Sequence, residues 1–361
     1  MPPTTTTLAP MNAEWRAFLT QAGAVFESDR VLHYGKPEAE RRSAANADII
    51  ADLSHLAVLR ADGADAQNFL QGQLSNDIRQ VGATRAQLSA YCNAKGRMFC
   101  IFQIFQRPDG AYYLQLPAPL AEPTLKRLRM FILRAKVMLE FTDTGFGRVG
   151  LSGPNAEALL THTLGSAPEN VYDSISSDDI TVIRLPGPHA RFALHAPLAH
   201  LTPLWQTLSA KATPVGTAPW SWLDIMAGIP VILPGTVEEF VPQMTNLELV
   251  GGVSFTKGCY PGQEIVARMH YLGRLKQRMF RAHVECAVSP PPGTSVFAPE
   301  LPGQSTGSVL DSQPAPEGGY DLLAVVHLSS QAAGELHLAS SDGVRLTLTD
   351  LPYSLNPVVI T

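Results

Sequence analysis

The sequence predicts an α+β fold: a duplicated α+β unit followed by a small antiparallel β-rich region. Two segments about ninety residues apart share one local grammar, strand-like and helical stretches recur in the same order after each, and the texture changes after residue 281.

Taken in order, residues 1–12 are Pro/Thr-rich and read as a loose tail. AEWRAFLTQAGAVF (13–26) has helical spacing and reads as a short helix packed on the first domain. EAERRSAANAD (38–48) is polar and reads as an exposed lead into the first strand. LAVLRADGADAQNFL (56–70) is an apolar strand, a Gly/Asp turn and a helix start, and GRVGLSGPNAEALL (147–160) repeats it. Superposed, Gly63 meets Gly153, Asp65 meets Asn155, Ala66 meets Ala156, and Phe69–Leu70 meets Leu159–Leu160. Asp65 and Asn155 stand where an N-cap side chain can accept from exposed helix N–H groups. Strand–turn–helix starts also converge on Gly, Asp and Ala without common origin, so the element order after each copy matters as much as the echo itself.

After the first echo, QLSAYCNAKGRMFCIFQIFQRPDGAYYLQLP reads as paired hairpins with turns at Asn93–Gly96 and Pro108–Gly110. LAEPTLKRLRMFILRA then reads as a helix. After the second, ITVIRLPGPHARFALHAP reads as strands and LAHLTPLWQTLSAKA as a helix. Beyond residue 281, short strand-like runs (YDLLAVVHL, GELHLAS, VRLTLTDL) between Gly/Pro turns predict a small barrel or sandwich, closed by the final LPYSL. The resulting division is a tail and short helix at 1–30, half-units at 31–145 and 146–280, and the β-rich region at 281–361.

Composition narrows the functional classes. A formal charge of −5 gives no global attraction to nucleic acid or to an anionic membrane. Cys92, Cys100, Cys259 and Cys286 lack zinc-type spacing, and no metal site is expected. The N-terminus has neither the charged nor the apolar region of a signal peptide, and no apolar run is long enough to span a bilayer. These features predict a cytoplasmic protein with reduced thiols and no membrane partner. Walker, G-x-G-x-x-G and G-x-S-x-G patterns are absent.

The chemistry concentrates in KGCYPGQE, residues 257–264, followed by IVARMHYLGRLKQR. Pro261–Gly262 suits a type II turn, and a helix is expected from Gln263 with Ile265, Val266, Met269 and Leu272 on one face and a stop at Gly273. Cys259 then lies near a helix N-terminus, two residues from Lys257, and both features favour a thiolate. The alternative is a small buried cysteine in a tight turn. Residues 257–281 hold Lys257, Arg268, Arg274, Lys276, Arg278 and Arg281 against Glu264, a local +5 that leaves −10 elsewhere. Such a run suits an anionic ligand or RNA phosphate; the alternative is a solvated helix face.

K-G-C-Y-x-G-Q-E followed by I-V-A-R resembles the signature of the YgfZ-type folate-binding proteins, relatives of the glycine-cleavage aminomethyltransferase. FLQGQLSNDI (69–78), YCNAKGRM (91–98), WLDIMAGIPVI (222–232), FVPQMTNLELVGGVSFTKG (240–258) and LPYSL extend the resemblance over about residues 50–361. It implies a duplicated folate-binding α+β domain of the aminomethyltransferase type plus a small C-terminal antiparallel β-barrel. It also implies tetrahydrofolate or a derivative as cofactor, and support for assembly or repair of iron–sulfur enzymes, including tRNA-methylthiolating ones. Cys259 is then the functional thiol, tuned by Lys257; Gly258 and Gly262 shape the turn; Tyr260, Gln263, Glu264 and Arg268 complete the motif. Trp220 stands where the family places an aromatic near folate, with Trp222 two residues on, and Gln243 and Asn246 are suited to contact pteridine edges. Aminomethyltransferases carry an essential aspartate four to five residues past the N-x-x-G glycine; past Gly96 those places hold Cys100 and Ile101. The missing acid weakens a one-carbon transferase or demethylase reading. A third reading is a tRNA-binding module using Arg274, Lys276 and Arg278.

Overall fold

The structure is a computed structural model, and it describes residues 8–355 except 143, 272, 274 and 302. The chain opens with α1 (Ala13–Gln21), β1 (Val25–Glu27), β2 (Arg30–His33), α2 (Pro37–Asn46) and β3 (Ile49–Asp52). The first repeat comes next: β4 (Leu56–Asp62), α3 (Ala66–Gln71), β5 (Gln87–Cys92), β6 (Met98–Gln106), β7 (Tyr112–Pro117), α4 (Ala118–Arg129) and β8 (Met138–Phe141). The second has the same order: β9 (Phe146–Gly153), α5 (Ala156–Leu164), β10 (Ser174–Ser177), β11 (Ile180–Leu185), β12 (Ala190–Pro197), α6 (Leu198–Ser209) and β13 (Thr213–Val215).

The sheets carry the duplication. One has the strand order β5-β6-β7-β4-β8 and the other β10-β11-β12-β9-β3-β13. The place of β8 beside β4 is taken in the second sheet by β3, a strand from before the first repeat. Gly63 and Gly153 both have positive φ, +114° and +147°. Each admits the backbone leading into that neighbouring strand: a Cβ would lie 2.2 Å from Lys136 O in the first repeat and 2.5 Å from the Cα of Asp48 in the second. Asp65 and Asn155 serve the same junction and do not cap their helices. Asp65 Oδ2 accepts from Lys136 N–H, and Asn155 donates its backbone N–H and Nδ2 to Asp48. A further echo lies in the following helices: α4 and α6 each start after a proline, Pro117 and Pro197, and each holds a second proline six residues on, Pro123 and Pro203.

Helix α1 packs on the second sheet, with Trp15 and Leu19 in one core with Ile50, Val149, Phe192 and Trp205. Burying each such side chain is worth about 2 kcal/mol, and Trp15 Nε1 also donates to the buried Asp52 at 2.8 Å. Two sequence expectations need correction here. Residues 38–46 are helical, because Glu40 turns inward and accepts from the N–H groups of Tyr34, Lys36 and Gly216. The other correction concerns LPYSL, which is not a strand.

After α7 (Thr217–Met226) and α8 (Gln263–Tyr271) comes a closed antiparallel barrel. It comprises β14 (Gln277–Val284), β15 (Ser295–Phe297), β16 (Ser305–Pro314), β17 (Tyr320–His327), β18 (Leu336–Leu338) and β19 (Arg345–Thr349), with α9 (Leu328–Ala333) between β17 and β18. Pairing of β14 with β19 closes it, around Val284, Val296, Val309, Leu322, Leu336 and Leu346. Among the described residues the chain divides into two compact units: 8–70, 78–87 and 102–223 form one, and 71–77, 88–101 and 224–355 the other.

Candidate functional site

The motif loop 257–264 is built within the second unit, from pieces far apart in sequence. Lys257 is buried, and its ammonium donates to three backbone carbonyls, Gln71 O at 2.8 Å, Leu74 O at 2.5 Å and Asn76 O at 2.9 Å. The same ammonium stands 5.3 Å from the centre of the Tyr260 ring. Ser75 and Asn76 fix that carbonyl cradle in turn, donating to Gly252 O and Gly251 O. Lys257 is thus the anchor of the loop, whereas the sequence had cast it as a tuner of the thiol.

Gly262 is the second fixed point. Its φ is +82°, and a Cβ there would lie 2.4 Å from Asn93 O and 2.5 Å from the Cα of Gly96. The loop therefore rests glycine against glycine on the β5–β6 turn, which Asn93 stiffens by accepting from the N–H groups of Lys95 and Arg97. Helix α8 begins at Gln263 as expected, and Gln243 holds it by donating Nε2 to Val266 O at 2.6 Å. Of its anticipated apolar face only Val266 is fully buried; Ile265 is 37% exposed, and Leu272 lies outside the described residues.

Between the anchors Cys259 is exposed, which removes the alternative of a buried turn cysteine. Gly258 has open space where a Cβ would stand and no positive φ, so the turn makes no steric demand for glycine there. Glu264 and Arg268 are exposed on α8. Two of the other thiols differ sharply, whereas Cys286 is partly exposed. Cys92 is buried beneath the motif, where burial pushes its pKa up to about 12, and Cys100 has no exposed surface. Burial, followed by Cys92, also raises the Tyr260 phenol above its ordinary range.

The residues put forward for folate are buried, each within its own unit. Trp220 belongs to the first unit and is 2% exposed. It packs on Gly150, where a Cβ would come within 2.4 Å of the ring, and the Arg191 guanidinium stands 4.2 Å from its centre. Trp222 is also buried. Asn246 is buried with φ +59°; its Nδ2 donates to Met279 O at 2.8 Å and its Oδ1 accepts from Arg278. Gln243 keeps one buried side-chain atom, Oε1, without a hydrogen-bond partner. As they stand, Trp220 and Asn246 are occupied by protein and do not fit a pteridine.

Part of the basic run is bound internally as well. Arg278 is paired with Glu248 at 2.5 Å and also donates to Gln243 O and Asn246 Oδ1. Arg281 donates to Met226 O and Thr349 Oγ1. Of the three residues suggested for tRNA, Lys276 is exposed, Arg278 is spent in this network, and Arg274 lies outside the described residues. Sequence reasoning missed the Gln71–Asn76 carbonyl cradle and the Asn93–Gly96 support. Both lie in segments that carried the family resemblance, which was the available signal.

Residues 12–220 match the family model described as the GCVT N-terminal domain. The tRNA-modifying protein YgfZ of Edwardsiella ictaluri (strain 93-146) is 32% identical over 302 residues, 82% of this chain and 89% of that protein. The chain belongs to the YgfZ family. A second YgfZ relative, the tRNA-modifying protein of Colwellia psychrerythraea (strain 34H / ATCC BAA-681), is 28% identical over 309 residues, 85% of this chain and 93% of that protein. The fold is also that of the glycine cleavage system aminomethyltransferase T from Bartonella henselae, with a TM-score of 0.78, 16% identity, and coverage of 94% of this chain and 97% of that one. The loop at 257–264 lies beyond the stretch that the GCVT model matches. Among the described residues, no helix is long and apolar enough to cross a membrane.

Proposed function

We propose that the chain is a folate-binding accessory protein that supports assembly or repair of iron–sulfur enzymes, including tRNA-methylthiolating ones, with Cys259 as its functional thiol. The observation that carries this reading is the presentation of that thiol: exposed, on a loop clamped by Lys257 on one side and Gly262 on the other. A side chain held accessible by buried anchors is arranged for a partner, since packing alone would leave a cysteine inside. The tRNA-modifying names of the two relatives support the client class. The aminomethyltransferase fold supports tetrahydrofolate or a derivative as ligand. Gln243 is the residue put forward for that ligand that retains an open side-chain atom. Within the motif, Lys257 anchors, Gly262 sets the turn, and Gln263 starts the helix, while Glu264 and Arg268 face outward. Where aminomethyltransferases hold their acid, Cys100 and Ile101 are both buried, and this favours the accessory role over one-carbon transfer.

The test is complementation of a strain lacking this protein, read as the methylthiolated fraction of tRNA. Cys259→Ser is expected to lower it at least tenfold while the melting temperature of the purified variant is unchanged. Full restoration by Cys259→Ser removes the thiol from the function.

A further inference from the structure

We propose that the segment following α4 is a docking surface for a client protein that presents an apolar pocket rimmed by carboxylates. Met130, Phe131 and Leu133 are 62%, 47% and 88% exposed, three large apolar side chains within four residues. Isolated exposed apolar residues are ordinary; a cluster at one tip marks an interaction site. The tip is preformed. Phe131 N–H donates to Leu128 O at 3.0 Å and Ala135 N–H to Ile132 O at 2.8 Å, and the Arg129 guanidinium holds Leu139 O. Leu133 sits at φ +48°, a backbone conformation that L side chains rarely adopt.

The charge around the tip selects the occupant. Lys126, Arg134 and Lys136 are exposed beside it, in a chain whose formal charge is −5. A second copy docking through the same face would set these cations against themselves. An anionic lipid surface would require no particular backbone at Leu133. A pocket of matching shape with an acidic rim satisfies the apolar, conformational and electrostatic features together.

The test places the photocrosslinker p-benzoylphenylalanine at position 131 of the full chain in cells. The expected result is a discrete adduct, at least threefold weaker in Lys126→Glu/Lys136→Glu, whose crosslinked peptide maps to an apolar surface flanked by Asp or Glu. No adduct, an adduct with this chain itself, or an adduct indifferent to the charge reversal overturns the proposal. Cosedimentation of wild type, but not of Phe131→Asp/Leu133→Asp, with phosphatidylglycerol–phosphatidylcholine vesicles would overturn it in favour of a lipid surface. The crosslink does not depend on the folate or iron–sulfur reading. In the complementation assay, Phe131→Asp/Leu133→Asp is expected to lower tRNA methylthiolation at least tenfold with an unchanged melting temperature. Failure of wild type itself to complement counts against the functional reading, whereas equal complementation by wild type and variant counts against the docking surface.

Discussion

The two repeats present equivalent hairpin tips, and their difference shows where the cysteine loop was added to a duplicated scaffold. In the second repeat the β10–β11 tip is a two-residue turn, Asp178–Asp179, with φ values of +47° and +63° between the paired Ser177 and Ile180. It serves little beyond chain reversal and a bond from Arg107 to Asp179 O. In the first repeat the β5–β6 tip is longer, running from Asn93 to Gly96, and carries the Gly262 backbone directly against it. One tip is free to be charged and strained, while the other must be glycine and must be rigid. A duplication supplies two equivalent supports, and the cysteine loop rests on one of them.

That contrast can be broken most forcefully at Gly262. Gly262→Ala places a Cβ 2.4 Å from Asn93 O at a positive φ, which should cost about 3 kcal/mol or more. Gly258→Ala, with nothing within 4 Å, should stay within about 0.5 kcal/mol of wild type. Urea melts of the two variants check the pair, and equal losses would mean that the glycine contact does not brace the loop. Lys257→Met leaves three carbonyls without their cation, and since a hydrogen bond to a charged group contributes roughly 1.5–3 kcal/mol, a loss of about 3 kcal/mol is expected. Hydrogen exchange of residues 71–76 should rise in the same variant. The smallest effect belongs to the other tip: Asp178→Asn/Asp179→Gly supplies the residues a tight two-residue hairpin favours and should stabilise by about 0.5 kcal/mol, with tRNA methylthiolation unchanged.

Much of the fold was legible because its signals are local. Gly63 and Gly153 must be glycine where backbone passes within van der Waals distance, and the strand–turn–helix pattern around each is short-range. The roles of Asp65 and Asn155 were misread as caps because their partners, Lys136 and Asp48, come from segments leading into strands elsewhere in the chain. Helix α2 was missed for a related reason: its inward face depends on Glu40, a carboxylate made tolerable in the core by three backbone N–H groups that no local pattern reveals. At the site, the motif's turn and helix start were readable from Pro261, Gly262 and Gln263. The destination of Lys257 was not, because carbonyl acceptors leave no mark in a sequence. Arg278 likewise counted as a surface charge until Glu248 was found beside it.

The central claim is that a duplicated scaffold holds the Cys259 thiol out and keeps Cys92 and Cys100 in. Timed alkylation of the native protein with iodoacetamide at pH 8, quantified cysteine by cysteine by mass spectrometry, tests it most directly. The account predicts rapid modification of Cys259 and at least hundredfold slower modification of Cys92 and Cys100, both buried, with the Cys92 thiol kept protonated by a pKa pushed up to about 12. Protection of Cys259 comparable to that of Cys92 would contradict it.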